Sequence, residues 1–208
     1  VRRTTLLARR AREILREEGP FSAWCKLLAL AGYRRVVLIA RELDRPTADG
    51  GIDLSVTVRR LTGGDLPDYL AFRRDVDAED VRRRLQAGDE CFAAWVEGRI
   101  VHACWVSTGT ARITFLGRAL DLAPDEIYAD ESYTAPGFRG HNVAAQRSAA
   151  MARHYRAAGY RRSLAVVFPE NRPAWRAAEK AGYRPLAVLG YVRLGPWRRD
   201  FRRPWPDA

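Results

Sequence analysis

The chain has 208 residues, 47% hydrophobic and 29% charged, with a formal net charge of +11. That is enough apolar material for one domain of ordinary size plus an extension, and no run of 18 apolar residues offers a membrane-spanning helix. The charge favours anionic partners such as nucleotide-bearing small molecules, nucleic acid or anionic lipid, without choosing among them. Cys25, Cys91 and Cys104 are too few and too scattered for a disulfide or metal framework, and His102, His141 and His154 complete no ligand set with them. Cys91 and Cys104 lie in apolar runs and are expected to be buried as small hydrophobes.

In chain order, the opening V-R-R-T-T-L-L-A-R-R is basic but lacks the long apolar core of a secretory leader, so a cytoplasmic setting is expected. Leu7, Ala11 and Ile14 recur at helical spacing and predict a helix over Thr5–Glu18, ended by Gly19 and Pro20. A second helix is predicted from Phe21 or Ser22 to Ala31, with Trp24, Leu27 and Leu28 on its apolar side. Val36–Ala40 reads as a short strand and Glu42–Gly51 as a polar linker. Residues 1–51 are therefore read as an N-terminal helical extension, suited to packing on the main domain, docking a partner or lying on an anionic membrane.

The main domain spans residues 52–195. Strands are predicted at Leu54–Leu61, Glu90–Val96, Ile100–Ser107, Ala111–Leu116, Glu126–Thr134, Arg162–Phe168 and, in two segments about Gly190, Tyr183–Leu194. Helices are predicted at Asp65–Arg73, Ala78–Ala87, Asn142–Ala157 and Asn171–Lys180. Leu120–Asp125 is a loop or a brief strand. The recurring Ala-Gly-Tyr at Ala31, Ala158 and Ala181 reads as helix endings rather than an internal repeat. Residues 196–208 are basic, aromatic and proline-rich, and are expected to be a loosely structured tail packed by Trp197.

The stretch Glu131–Ala144, E-S-Y-T-A-P-G-F-R-G-H-N-V-A, organises the chain. It runs from a strand end through Pro136, Gly137 and Gly140 into the helix opening at Asn142. Such a turn is either a plain connection or an anion site, because backbone N–H groups converge there and the helix dipole adds roughly half a positive charge. Arg139 stands beside it.

The run R-G-H-N-V-A at Arg139–Ala144 resembles the coenzyme-A loop of the GCN5-related N-acetyltransferase (GNAT) family, with Asn142 where the first glycine is usual. Asn tolerates unusual backbone angles best among the non-glycine residues. A second block, N-R-P-A-W-R-A-A-E-K-A-G-Y at Asn171–Tyr183, is also similar to the family's pattern. The resemblance covers roughly Ile52–Leu194 and implies an α/β (α+β) acyl-CoA N-acyltransferase fold, a mixed central sheet with flanking helices. It further implies acetyl-CoA or another acyl-CoA as co-substrate, no metal, and direct acyl transfer to a primary amine.

By the same resemblance, the pyrophosphate would rest on Arg139, Gly140, His141, Asn142, Val143 and Ala144, with Asn171 nearby. The pantetheine arm would meet Tyr133, Thr134 and Ala135 where two parallel strands separate. His141 is equally an ordinary loop histidine, and Asn171 a helix cap. The neutral amine must lose a proton; Glu131 is the first candidate base, ahead of Glu126 and of Asp130, which alternation turns to the other face. The family's usual tyrosine acid falls at Ala178, so Tyr133 or solvent would protonate the thiolate, with Tyr183 assigned to the core. Trp95, Trp105, Phe115 and Tyr128 are either core or pocket lining.

A small-molecule amine is the leading acceptor. A protein amine, long-chain acyl transfer at a membrane, and a non-catalytic domain that binds coenzyme A or a protein stand as alternatives. A homodimer is a further expectation. Nucleic acid ranks last among the partners.

Overall fold

The computed structural model describes residues 20–45 and 54–206. The helix expected over Thr5–Glu18 and most of the linker after Glu42 lie outside the described residues. The first described elements are α1 (Pro20–Leu30) and β1 (Tyr33–Glu42), followed by β2 (Thr57–Arg60), α2 (Leu66–Phe72), α3 (Ala78–Gln86), β3 (Glu90–Val96) and β4 (Arg99–Thr108). A hairpin of β5 (Thr110–Ile113) and β6 (Arg118–Asp121) precedes β7 (Glu126–Thr134). The chain ends with α4 (Val143–Ala157), β8 (Arg162–Val167), α5 (Arg172–Lys180), β9 (Arg184–Leu194) and β10 (Trp197–Pro204).

Among the described residues, eight strands form one sheet in the order β10-β9-β1-β8-β7-β4-β3-β2. Every neighbouring pair is antiparallel except β7 and β8. Alternation, interrupted by bulges between β3 and β4 and between β4 and β7, separates the two faces. On one face, Cys91, Ala93, Trp95, Ala103 and Trp105 pack under Tyr69 and Val81 of α2 and α3. On the other, Phe92, Cys104, Val106, Ile127 and Ala129 pack under Met151, Ala152 and Tyr155 of α4. Both cysteines are buried and free, and Trp95, Trp105, Tyr128 and Tyr183 are core residues.

The helices follow local chemistry. Asp77 caps α3 by accepting from Glu79 N at 3.2 Å, and Glu79, Asp80, Arg83 and Arg84 place charges of the right sign at its two ends. In α4, Val143, Arg147, Ser148, Met151, Ala152 and Tyr155 form one buried stripe. The Ala-Gly-Tyr segments do end helices: Gly32, Gly159 and Gly182 take φ of 91°, 93° and 86°.

Two parts of the chain differ from the sequence expectation. Residues 33–42, read as part of the extension, form a strand inside the sheet. β1 pairs with β8 from Val37↔Val167 to Glu42↔Arg162 and with β9 from Tyr33↔Val192 to Ala40↔Arg184. The run Val36–Ile39 is buried because both faces of this strand are covered. The tail is a paired strand rather than a loose segment: β10 runs along β9 from Trp197↔Leu194 to Pro204↔Ala187. Trp197 is half exposed, and Trp205 packs instead, 6.0 Å from Trp175.

β9 runs without a break through Gly190, where a side chain has no room. A Cβ would collide with the Arg34 carbonyl oxygen and the Phe201 ring. Gly190→Ala is expected to lower stability by on the order of 2–4 kcal/mol, read from the urea midpoint. A neutral result would contradict the close stacking of β1, β9 and β10.

Candidate active site

β7 and β8 pair over three positions, Glu126↔Arg162, Ile127↔Ser163 and Tyr128↔Leu164, and then part. β7 continues to Thr134 and β8 to Val167. Their outer edges remain engaged, β7 with β4 and β8 with β1. The parting therefore opens a gap in mid-sheet whose walls carry backbone N–H and C=O groups in need of partners. Ala135 N donates to Val101 O of β4 at 2.9 Å. By alternation, the backbone groups of Thr134 face the gap.

A bulge interrupts β7 beside this gap. The register passes from Ala103↔Tyr133 to Trp105↔Asp130, so Glu131 and Ser132 together oppose Cys104. Glu131 has φ of 48°, a left-handed backbone that costs a non-glycine residue about 1–3 kcal/mol. The extra residue changes which way the side chains face. Asp130 and Glu131 both reach Arg84 of α3, whereas Ser132 contacts Arg147 of α4 on the opposite face.

Arg84 holds the acidic side of the site. Its guanidinium contacts Asp89 at 2.8 Å, Asp130 at 2.9 Å and Glu131 at 3.4 Å, and lies 4.4 Å from the Trp105 ring centroid. Burial pushes the Asp130 carboxyl up to about 6, against the pull of Arg84. The Glu131 side chain is 41% exposed and accessible to an incoming group. Tyr133 lies on the same face, 5.4 Å from the Phe72 ring and 5.0 Å from the Arg73 guanidinium. Glu126 is occupied elsewhere, by Arg162 at 3.5 Å and Ala123 N at 3.1 Å.

The loop after β7 completes the constellation. Gly140 and Asn142 take φ of 89° and 56°, so Asn142 adopts the left-handed backbone its position in the turn requires. The N–H groups of Val143 and Ala144 open α4, where helix geometry supplies no intrahelical acceptor. Arg139 Nε donates to Thr134 O at 3.3 Å and fixes the loop against the end of β7. His141 is exposed. Asn171 caps α5 through Ala174 N at 3.1 Å.

The structure thus assembles Glu131 and Tyr133 on the α2–α3 face and Arg139–Ala144 at the head of α4. Two further residues belong with them. Lys180 donates to Asn142 Oδ1 at 2.6 Å, bringing a cation to the loop; it lay within the quoted Asn171–Tyr183 block. Arg84 had no signal in the sequence, being one of three consecutive arginines. Phe115 is half exposed and packs on Phe168 at 4.7 Å, beside the β5–β6 hairpin. Among the described residues, no three His, Cys, Asp or Glu side chains converge as a metal site requires, and no helix is long and apolar enough to cross a membrane.

Residues 61–183 match the model of the acetyltransferase (GNAT) family. The chain belongs to the GNAT acetyltransferase family. Among solved structures, a GCN5-related N-acetyltransferase from Sphaerobacter thermophilus has 18% identity and a TM-score of 0.57 over 88% of this chain and 58% of its own. A functionally unknown conserved protein from Staphylococcus epidermidis has 14% identity and a TM-score of 0.53 over 80% of this chain and 64% of its own. The aminoglycoside N-acetyltransferase AAC(6')-Iy, bound to the bisubstrate analogue CoA-S-monomethyl-acetylneamine, has 21% identity and a TM-score of 0.53 over 62% of this chain and 91% of its own. At these identities the likeness establishes the fold. A comparison with curated proteins by sequence gave no match.

The raised Asp130 has a stability signature. The folded GNAT domain retains this proton between roughly pH 4 and 6, where the unfolded chain has lost it, so the contribution to stability falls as pH rises through that window. Thermal midpoints measured from pH 4.5 to 7 should therefore fall more in the wild type than in Asp130→Asn. Parallel profiles would contradict the assignment.

Proposed function

We propose that this GNAT protein transfers an acyl group, acetyl being the simplest, from acyl-CoA to the primary amine of a small molecule. The observation that carries this reading is the gap between β7 and β8, which leads into the Gly140–Asn142 loop at the head of α4. A gap edged with backbone groups suits an extended, amide-bearing chain. A loop with left-handed residues, a helix N-terminus, Arg139 and Lys180 suits a pyrophosphate. Coenzyme A has both parts in that order.

The chemistry follows from the two faces of the bulged strand. The amine enters from the α2–α3 side, where Asp130 and Glu131 favour a cation. It loses a proton to Glu131, directly or through water, and its lone pair attacks the thioester carbonyl. The new C–N bond forms, the C–S bond breaks, and the thiolate leaves with coenzyme A. Tyr133 is the side chain proposed to protonate it, because Ala178 cannot. No enzyme nucleophile is needed, and Cys104 is buried beneath α4.

Calorimetric titration with coenzyme A tests the cofactor half. Wild-type protein should bind saturably, and Arg139→Ala should weaken binding about tenfold, equivalent to 1.4 kcal/mol. Absence of binding by folded protein would sink the reading. For the chemical half, Glu131→Gln should lower kcat by roughly 10²–10⁴ with little change in the KM for acetyl-CoA. An unchanged kcat would exclude Glu131 as the base.

A further inference from the structure

Two arginines lie beneath α4 with no carboxylate of the described residues paired to them. Arg147 is 6% exposed and Arg41, on β1, is 4% exposed. Arg147 Nε donates to His102 Nε2 at 3.1 Å, Nη1 faces Met151 Sδ at 3.3 Å, and Nη2 lies 3.4 Å from Ser132 Oγ. Arg41 Nη1 donates to Ser148 Oγ and to Ala181 O, both at 2.9 Å. Its Nε and Nη2 are buried with no acceptor among the described residues. The ion pairs of the described residues include neither arginine.

Among the described residues, their surroundings supply no carboxylate partner. His102 is neutral, because burial and the Arg147 charge hold it well below the usual histidine range. Accepting from Arg147 at Nε2, it carries its proton on Nδ1, which donates to Thr134 Oγ1 at 2.8 Å. Burial, with Arg147 adding repulsion, also pulls Arg41 down, opposed by Tyr183. Buried charges are normally paired, so two like charges and two idle donors call for an anion that the described residues do not supply.

The position says which anion. Ser132 follows Glu131 in the bulge, so Arg147 reaches the strand from the α4 side at the level where Glu131 approaches from the other. Resting on the function proposed above, this places a guanidinium beside the acyl group of the donor. We propose that the acyl group ends in a carboxylate, bound by Arg147 and Ser132, with Arg41 held beneath α4 by Ser148. The donor class is then the CoA thioester of a short dicarboxylic acid, and the amide product keeps the free carboxylate.

The test compares succinyl-CoA with butyryl-CoA, which has the same chain length without the distal charge, and includes coenzyme A and free succinate as separate titrants. Wild-type protein is expected to bind succinyl-CoA at least tenfold more tightly than butyryl-CoA. Arg147→Met should bring that ratio close to one; the wild-type comparison stands by itself if this variant does not fold. Equal binding of the two thioesters, with coenzyme A still bound, overturns the inference and leaves the acyltransferase reading intact. Loss of coenzyme A binding as well removes both. Free succinate binding as tightly as its thioester would show that the site does not serve the donor.

Discussion

The structure depends on the parting of two parallel strands in the middle of a sheet. β7 and β8 share three paired positions and then separate, which exposes backbone groups that a continuous sheet would satisfy. The arrangement holds because each strand is secured on its other side. β4 pairs with β7 up to Thr134, and β1 pairs with β8 up to Val167, the full length of the gap. β1 is therefore part of the scaffold of the site, although it comes from the beginning of the chain. β9 and β10 extend the same support outward.

The second constraint is the bulge at Glu131. One extra residue turns Glu131 towards α3 and Ser132 towards α4, so a single strand presents acids to one side of the gap and a hydroxyl to the other. The Glu131 backbone is strained, and Arg84 draws three carboxylates together against the Trp105 ring. That contact limits repulsion among the acids while leaving Glu131 partly in solvent. The buried guanidiniums under α4 give the opposite face the opposite charge. The strand thus carries acids on its α3 side and a contact to a buried guanidinium on its α4 side, the charges that the proposed amine and the proposed acyl carboxylate would meet.

Much of this was legible in the sequence. The apolar runs within Glu90–Val96 and Ile100–Ser107 marked the core strands, and the glycines with Asn142 marked the loop at the head of α4. Both depend on local composition and backbone tolerance. What was hidden depends on distant partners. Val36–Ala40 announced a strand, but nothing local placed it between β8 and β9. Proline and consecutive arginines made residues 196–208 look loose, although an edge strand tolerates both. Simple alternation put Asp130 and Glu131 on opposite faces; the bulge, which no residue type declares, put them together. Arg147 carried no signal of its own in the sequence, and only the packing of α4 shows it buried.

The central claim is that the gap and the loop receive coenzyme A as one continuous site. Amide hydrogen exchange with and without coenzyme A tests it most directly. The account predicts slowed exchange in the gap-facing amides of β7 near Ser132 and Thr134, in Ala165–Val167, and in Gly140–Ala144, with the β10 edge unchanged. Protection confined to β10 or α1, or no protection in the loop when coenzyme A is bound, would contradict it.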